Sequence, residues 1–141
     1  MNEYEILLVE DNSSDVELAC ITLDELDLTN RTVIINNGED ALKYLKFIEE
    51  KLLKEEEVNL RMVILDIMLP KLNGFEILER IDAFKFKERI PIVIFSSSEI
   101  CKDVYLAYSL GVNAYLVKPI DFNKHQYVLR SALNFWLNKY E

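Results

Sequence analysis

Five polar side chains stand at the ends of short apolar runs. Glu10 and Asp11 follow Tyr4–Val9, Asp66 closes Met62–Asp66, Ser96 closes Ile92–Ser96, and Lys118 follows Ala114–Val117. Carboxylates brought together repel and raise one another's pKa unless positive charge intervenes. Mg²⁺ answers that need, because it prefers oxygen ligands, takes one or two carboxylates and bridges to phosphate oxygens. Lys118 adds a point charge suited to a phosphoryl oxygen, and Ser96 adds a hydrogen bond. The set therefore fits a metal-bound phosphate anion. Singly each residue is commonplace, since an Asp at a strand end is more often a helix cap and a Lys before Pro is usually solvated. Their weight comes from falling at the strand ends of one topology.

The elements that would position them alternate in type. The runs Tyr4–Val9, Thr32–Asn36, Met62–Asp66, Ile92–Ser96 and Ala114–Val117 are rich in β-branched residues and almost continuously apolar, as parallel strands covered on both faces should be. Between them lie helical spacings: Val16, Ala19, Cys20 and Leu23 follow i, i+3, i+4, i+7, and Ala41, Leu45, Ile48 and Leu52 do much the same. Ser14-x-x-Glu17 fits a capping box for the first helix, and Asn37, Asn73, Ser98 and Asp121 are N-cap candidates for the other four. This (βα)5 order, with right-handed crossovers, predicts an α/β, doubly wound, five-stranded parallel sheet. Ligands of such sheets bind at the carboxyl ends of the strands. Adjacent first and third strands would bring Glu10, Asp11 and Asp66 together.

Composition narrows the class. The chain has 141 residues, half of them apolar, and a net charge of −9. That length suits one domain spanning residues 1–141 with a core that needs no disulfide. The acidic balance disfavours nucleic acid, whose affinity rests on Lys and Arg neutralising phosphates. No apolar run approaches the roughly 20 residues of a membrane span, so no membrane partner and a cytoplasmic location are expected. Cys20 and Cys101 form no C-x-x-C pair and fall at apolar helix positions, which predicts buried free thiols. His125, the one histidine, is expected at the surface. The stretch Lys51–Arg61, with its Glu55–Glu57 run, is expected to be a solvated helix end or loop.

The strings Ile6-Leu-Leu-Val-Glu-Asp-Asn12, Val63-Ile-Leu-Asp-Ile-Met-Leu-Pro70, Gly74-Phe-Glu and Tyr115-Leu-Val-Lys-Pro119 resemble the signature of response-regulator receiver domains of two-component signalling. The resemblance covers essentially the whole chain and implies a flavodoxin-like sheet of order 2-1-3-4-5. It implies Asp66 as phosphoacceptor, Asp11 as direct Mg²⁺ ligand, Glu10 as a second acid acting through a metal-bound water, and the Met68 backbone carbonyl as a further ligand. Ser96 resembles the switch hydroxyl, Tyr115 the switch aromatic and Lys118 the phosphate-binding lysine, with a cis peptide before Pro119. Glu10 stands where an Asp is commoner and Ser96 where a Thr is, both conservative departures. Met68 stands at a variable position beside the acceptor, and its apolar side chain offers no hydrogen bond to an attacking water, which predicts slow loss of the phosphoryl group. Glu10-Asp-Asn-Ser-Ser-Asp-Val-Glu-Leu18 and Phe135-Trp-Leu137 look most like the small single-domain regulators of bacterial phytochrome-type and hybrid kinases.

The resemblance implies a stand-alone phosphoacceptor, not an enzyme, that takes a phosphoryl group from a sensor histidine kinase. With the chain ending at Glu141, no output domain is expected, and the signal would leave by protein contact or phosphorelay. The fourth helix (Ile100, Cys101, Val104, Tyr105, Leu106, Tyr108, Leu110) and the fifth (Val128, Leu129, Ala132, Leu133, Phe135, Trp136, Leu137, Tyr140) carry wider apolar faces than a core stripe requires. A homodimer or partner surface through helix four, strand five and helix five is expected there. Three other readings stand beside this one. A dehalogenase-like phosphatase would want an acid two residues after its nucleophile, where Met68 stands. A flavodoxin-like cofactor binder would want a glycine-rich loop where Glu10-Asp11 stand. A pseudo-receiver would keep the fold without being phosphorylated.

Overall fold

The computed structural model describes residues 4–138. Its strands are β1 (Ile6–Val9), β2 (Thr32–Ile35), β3 (Met62–Leu65), β4 (Ile92–Ser96) and β5 (Ala114–Val117). They form one parallel sheet of order β2-β1-β3-β4-β5, as expected. Helices α1 (Ser13–Glu25), α2 (Gly38–Leu53), α3 (Gly74–Arg80), α4 (Cys101–Ser109) and α5 (Phe122–Asn138) follow the strands in turn. Tyr140 lies outside the described residues.

Side chains alternate across the pleat and divide the core into two layers. Leu7, Val9, Val63, Leu65, Ile92 and Ile94 face one side, where they meet Ala41, Leu45, Ile77, Ile81 and Ala107. Ile6, Leu8, Met62, Ile64, Val93 and Phe95 face the other, where Ala19 and Leu23 of α1 and Leu129 and Leu133 of α5 cover them. With both faces covered, the three inner strands are buried throughout.

Local chemistry sets the helix ends. Asn37 and Asn73 cap α2 and α3 as expected, the latter in a full capping box with Glu76. Asp121 accepts from Lys124 N–H at 3.0 Å at the start of α5. Two caps differ from expectation. For α1 the cap is Asn12, not Ser14, and its Oδ1 accepts from Asp15 N–H at 3.0 Å. For α4 the cap position is Ile100, because the helix starts at Cys101. The Ser98 hydroxyl instead accepts from Ile100 N–H at 3.3 Å and donates to Asp103 at 2.7 Å.

The long exit from α2 has a structural account. Glu55 takes a positive φ of 58°, Glu56 N–H reaches back to the Lys51 carbonyl and Glu55 N–H to that of Leu52, which closes the helix in a Schellman pattern. Glu55–Glu57 are exposed as expected, and the chain then buries Val58 and Leu60 on its way to β3. Within the helix, buried Glu49 accepts Lys85 N–H at 2.7 Å and Phe86 N–H at 3.0 Å, tying the 3₁₀ turn Lys85–Glu88 to α2.

Candidate functional site

The parallel register places β1 and β3 side by side, Val9 against Leu65, so both chains leave the sheet at one level. Glu10, Asp11 and Asp66 consequently converge: each offers a carboxylate oxygen within 4.8 Å of the others. Glu10 and Asp66 are buried and Asp11 is exposed. From β5, Lys118 N–H bonds the Ser96 carbonyl at 2.8 Å, and its ammonium extends 2.8 Å from Asp66 Oδ2 and 2.5 Å from Glu10 Oε1.

The backbone fixes the acids further. Asp66 Oδ1 accepts from Met68 N–H at 3.1 Å, and Glu10 Oε2 accepts from Asn12 N–H at 3.1 Å. Met68 thus lies against the cluster through its backbone while its side chain is 65% exposed. The loop leaving this point is held by close backbone approaches. Gly38 N–H bonds the Pro70 carbonyl at 3.3 Å, and a Cβ on Gly38 would lie 1.6 Å from the Leu72 oxygen. A Cβ on Gly74 would lie 2.7 Å from Ile67 Cα, so only glycine fits at these two helix starts.

Crowding shows in the electrostatics. Burial pushes the Glu10 carboxyl up to about 7; the Lys118 bond pulls against this and the neighbouring Asp66 charge adds to it. For Lys118, burial favours the neutral amine, but its bonds to Asp66, Glu10 and Asp15 outweigh that and raise its pKa. Two buried carboxylates and a third at the rim fit a hard divalent cation, since the donors are all oxygen and a single ammonium does not match their charge.

Ser96 is fully buried at the end of β4. Half-buried Tyr115 donates its hydroxyl to the Ser98 carbonyl at 2.9 Å, in the loop that follows Ser96. Burial raises the Tyr115 pKa, while the bonds at Ser98 and Ser96 act in the opposite sense. The Tyr115 hydroxyl is therefore tied to the loop that follows Ser96.

Several expectations need correction. No peptide bond among the described residues is cis, so Lys118–Pro119 is trans, the isomer an X–Pro bond favours by about 0.5–1 kcal/mol. His125 is not at the surface. It is 1% exposed and packs edge-on against Phe95 at 5.0 Å, because the first turn of α5 folds under the end of β4. Neither ring nitrogen has a partner among the described residues, and burial lowers its pKa. Cys20 is half-buried and Cys101 is exposed, because α4 meets the core through Ala107 and its first turn stands clear. Both are free thiols, as expected.

One residue of the site was not foreseen. Asp15 Oδ2 lies 2.9 Å from Lys118 Nζ, completing a ring of three carboxylates around the ammonium. Its spacing, one helical turn beyond Asp11 on a helix starting at the strand end, was the available signal.

A doubly wound sheet with an acid cluster and a lysine at its carboxyl edge defines a signalling receiver. Residues 6–130 match the response regulator receiver domain, and the chain belongs to that family. Among similar proteins, the probable methanogenesis regulatory protein FilR2 of Methanothrix harundinacea is 35% identical over 132 residues, covering 94% of this chain and 83% of FilR2. Response regulator Rcp1 of Synechocystis is 30% identical over 132 residues, covering 94% of this chain and 88% of Rcp1. A manganese-bound crystal structure of Rcp1 matches with a TM-score of 0.77, covering 94% of both chains. The phosphorylated cyanobacterial phytochrome response regulator RcpA matches with a TM-score of 0.77 at 27% identity, covering 97% of this chain and 96% of that one. The chain is thus a receiver close to phytochrome-type regulators. No helix among the described residues is long and apolar enough to cross a membrane.

Proposed function

We propose that this chain is a Mg²⁺-dependent phosphoacceptor that takes a phosphoryl group on Asp66 from the phosphohistidine of a sensor histidine kinase, of phytochrome type in view of its relatives. One observation carries the reading: Asp66 sits within 4.8 Å of two further carboxylates and 2.8 Å from the Lys118 ammonium. Glu10, Asp11, Asp66 and the Met68 carbonyl would hold the cation, which when bound offsets charge on the phosphoryl oxygens. The manganese-bound Rcp1 and phosphorylated RcpA structures support both parts of the proposal by similarity.

In this mechanism the protein mainly positions and neutralises. Met68 N–H orients the Asp66 carboxylate, and Lys118 meets a phosphoryl oxygen. Ser96, fully buried beside the site, hydrogen-bonds another and shifts the loop bearing Ser98, to which Tyr115 is tied. Phosphorylation would then act through this linked pair, biasing a two-state equilibrium. The altered surface would be that of α4, β5 and α5, where Tyr105 is 78%, Tyr127 68% and Phe135 59% exposed. We assign protein contact, including a homodimer, to that face. Sedimentation of phosphorylated chain as a monomer would remove the homodimer. Borohydride reduction of the acyl phosphate, followed by peptide mapping, tests the site itself: label at Asp66 supports the proposal, and label elsewhere refutes it.

A further inference from the structure

Asp15 stands apart from the strand-end acids. It lies on the first turn of α1, its side chain 26% exposed, and contacts the ammonium of Lys118 at 2.9 Å. An ammonium has three N–H donors and no acceptor. Lys118 donates hydrogen bonds to Asp15 Oδ2 and to Asp66 Oδ2, and Glu10 Oε1 stands 2.5 Å from the same nitrogen. In this arrangement three carboxylates enclose the ammonium, and an incoming phosphoryl oxygen must displace one of them.

Charge acts in the same direction. When ionised, Glu10, Asp11, Asp15 and Asp66 bring four negative charges and Lys118 one positive, so a divalent cation still leaves the site one negative charge in excess. A phosphodonor arrives as an anion and is repelled by that excess. Glu10 and Asp11 are candidate cation ligands and Asp66 is the candidate acceptor. Asp15 is the carboxylate with neither task.

We propose that Asp15 is a brake on phosphoryl acceptance: it occupies Lys118 and opposes the incoming anion, so transfer waits on opening of the Lys118–Asp15 bond. The inference rests on the reading of Asp66 as phosphoacceptor. With acetyl phosphate as donor, an Asp66 oxygen forms the new bond to phosphorus. The bond from phosphorus to the acetyl oxygen breaks, and its electron pair leaves with acetate. No net proton or electron is exchanged, while a Lys118 N–H passes from Asp15 to a phosphoryl oxygen. Asp15 acts through Lys118 and is a positioning residue.

The test compares wild type, Asp15→Asn, Asp15→Ala and Asp15→Glu in saturating Mg²⁺, with acetyl phosphate as donor and intact mass followed over time. Asn and Ala are expected to accept about three- to tenfold faster, the effect of removing one nearby partly screened charge. Glu, which keeps the charge, should stay close to wild type. Affinity for beryllium trifluoride, read by fluorine NMR, should rise with the rate, although Mg²⁺ affinity by calorimetry stays level or falls slightly. A merely structural lesion would slow acceptance and weaken both ligands. An Asp15→Asn chain that accepts no faster than an active wild type overturns the brake alone. If neither chain accepts a phosphoryl group, the brake and the phosphoacceptor reading fall together. Acceptance by Asp15→Asn but not by wild type supports the brake in its strongest form.

Discussion

Lys118 Nζ and Asp66 Oδ2 lie 2.8 Å apart across 52 residues of sequence, and both side chains are buried. That pairing closes the site from the β5 side and, under the proposed function, gives Lys118 two tasks, neutralising the resting acids and contacting the phosphoryl group on Asp66.

Lys118→Met should separate those tasks. Without divalent metal, loss of the cation leaves Glu10 and Asp66 buried with unbalanced charge, a destabilisation on the order of 3 kcal/mol. Adding Asp66→Asn should recover much of it, because one of the stranded charges is gone. Urea unfolding of the two variants checks this; a double variant no more stable than the single one contradicts it. Phosphoryl acceptance by the single variant should fall by at least about tenfold.

The raised Glu10 pKa should make metal binding at this cluster pH-dependent. A carboxyl whose folded pKa lies above its ordinary value of 4.5 binds its proton more tightly when folded. Its contribution to stability is full below 4.5 and is lost as pH rises through about 7. The Lys118 contribution stays constant in this window, since a raised lysine pKa loses its effect only above 10.5. A cation needs ionised Glu10, so Mg²⁺ affinity should rise about tenfold per pH unit below 7 and level above it. Calorimetric titration from pH 5.5 to 8.5 measures this. A profile unchanged in Glu10→Gln would assign the dependence to another group.

Under the proposed function, Met68 is expected to govern how water reaches Asp66. Its N–H is fixed to Asp66 Oδ1 and its apolar side chain is exposed to solvent. We predict a long-lived phosphoryl group whose half-life shortens in Met68→Ala. An equal or longer half-life, read by phosphate release from purified phosphoprotein, would reject that role.

Glu49 joins α2 to the 3₁₀ turn before β4. Removing a buried carboxylate that accepts two backbone N–H groups leaves both unsatisfied, so Glu49→Ala should cost about 2–4 kcal/mol. Thermal or urea denaturation checks the loss. Phosphoryl acceptance, measured below the transition, should remain, because neither Glu49 nor the turn touches the site.

The sequence made the sheet legible because its inner strands are covered on both faces and read as unbroken apolar runs. Glu10, Asp11, Asp66, Ser96 and Lys118 were legible because strand ends are fixed by those runs. Asp15 was not, since its spacing one turn beyond Asp11 marks the face it shares but not the reach of Lys118 across the sheet edge, which is a tertiary distance. His125 misled for a related reason: one polar residue at a helix start reads as solvated, yet the first turn of α5 packs beneath Phe95. The α1 cap moved from Ser14 to Asn12 because both offer suitable oxygens and only the backbone path after β1 distinguishes them.

The central claim is tested most directly by intact mass after incubation with acetyl phosphate. With Mg²⁺, wild type should gain one phosphoryl unit, Asp66→Asn should gain none, and chelation of the metal should abolish the gain. No gain with any donor in either wild type or Asp15→Asn, or an equal gain in Asp66→Asn, would contradict the account.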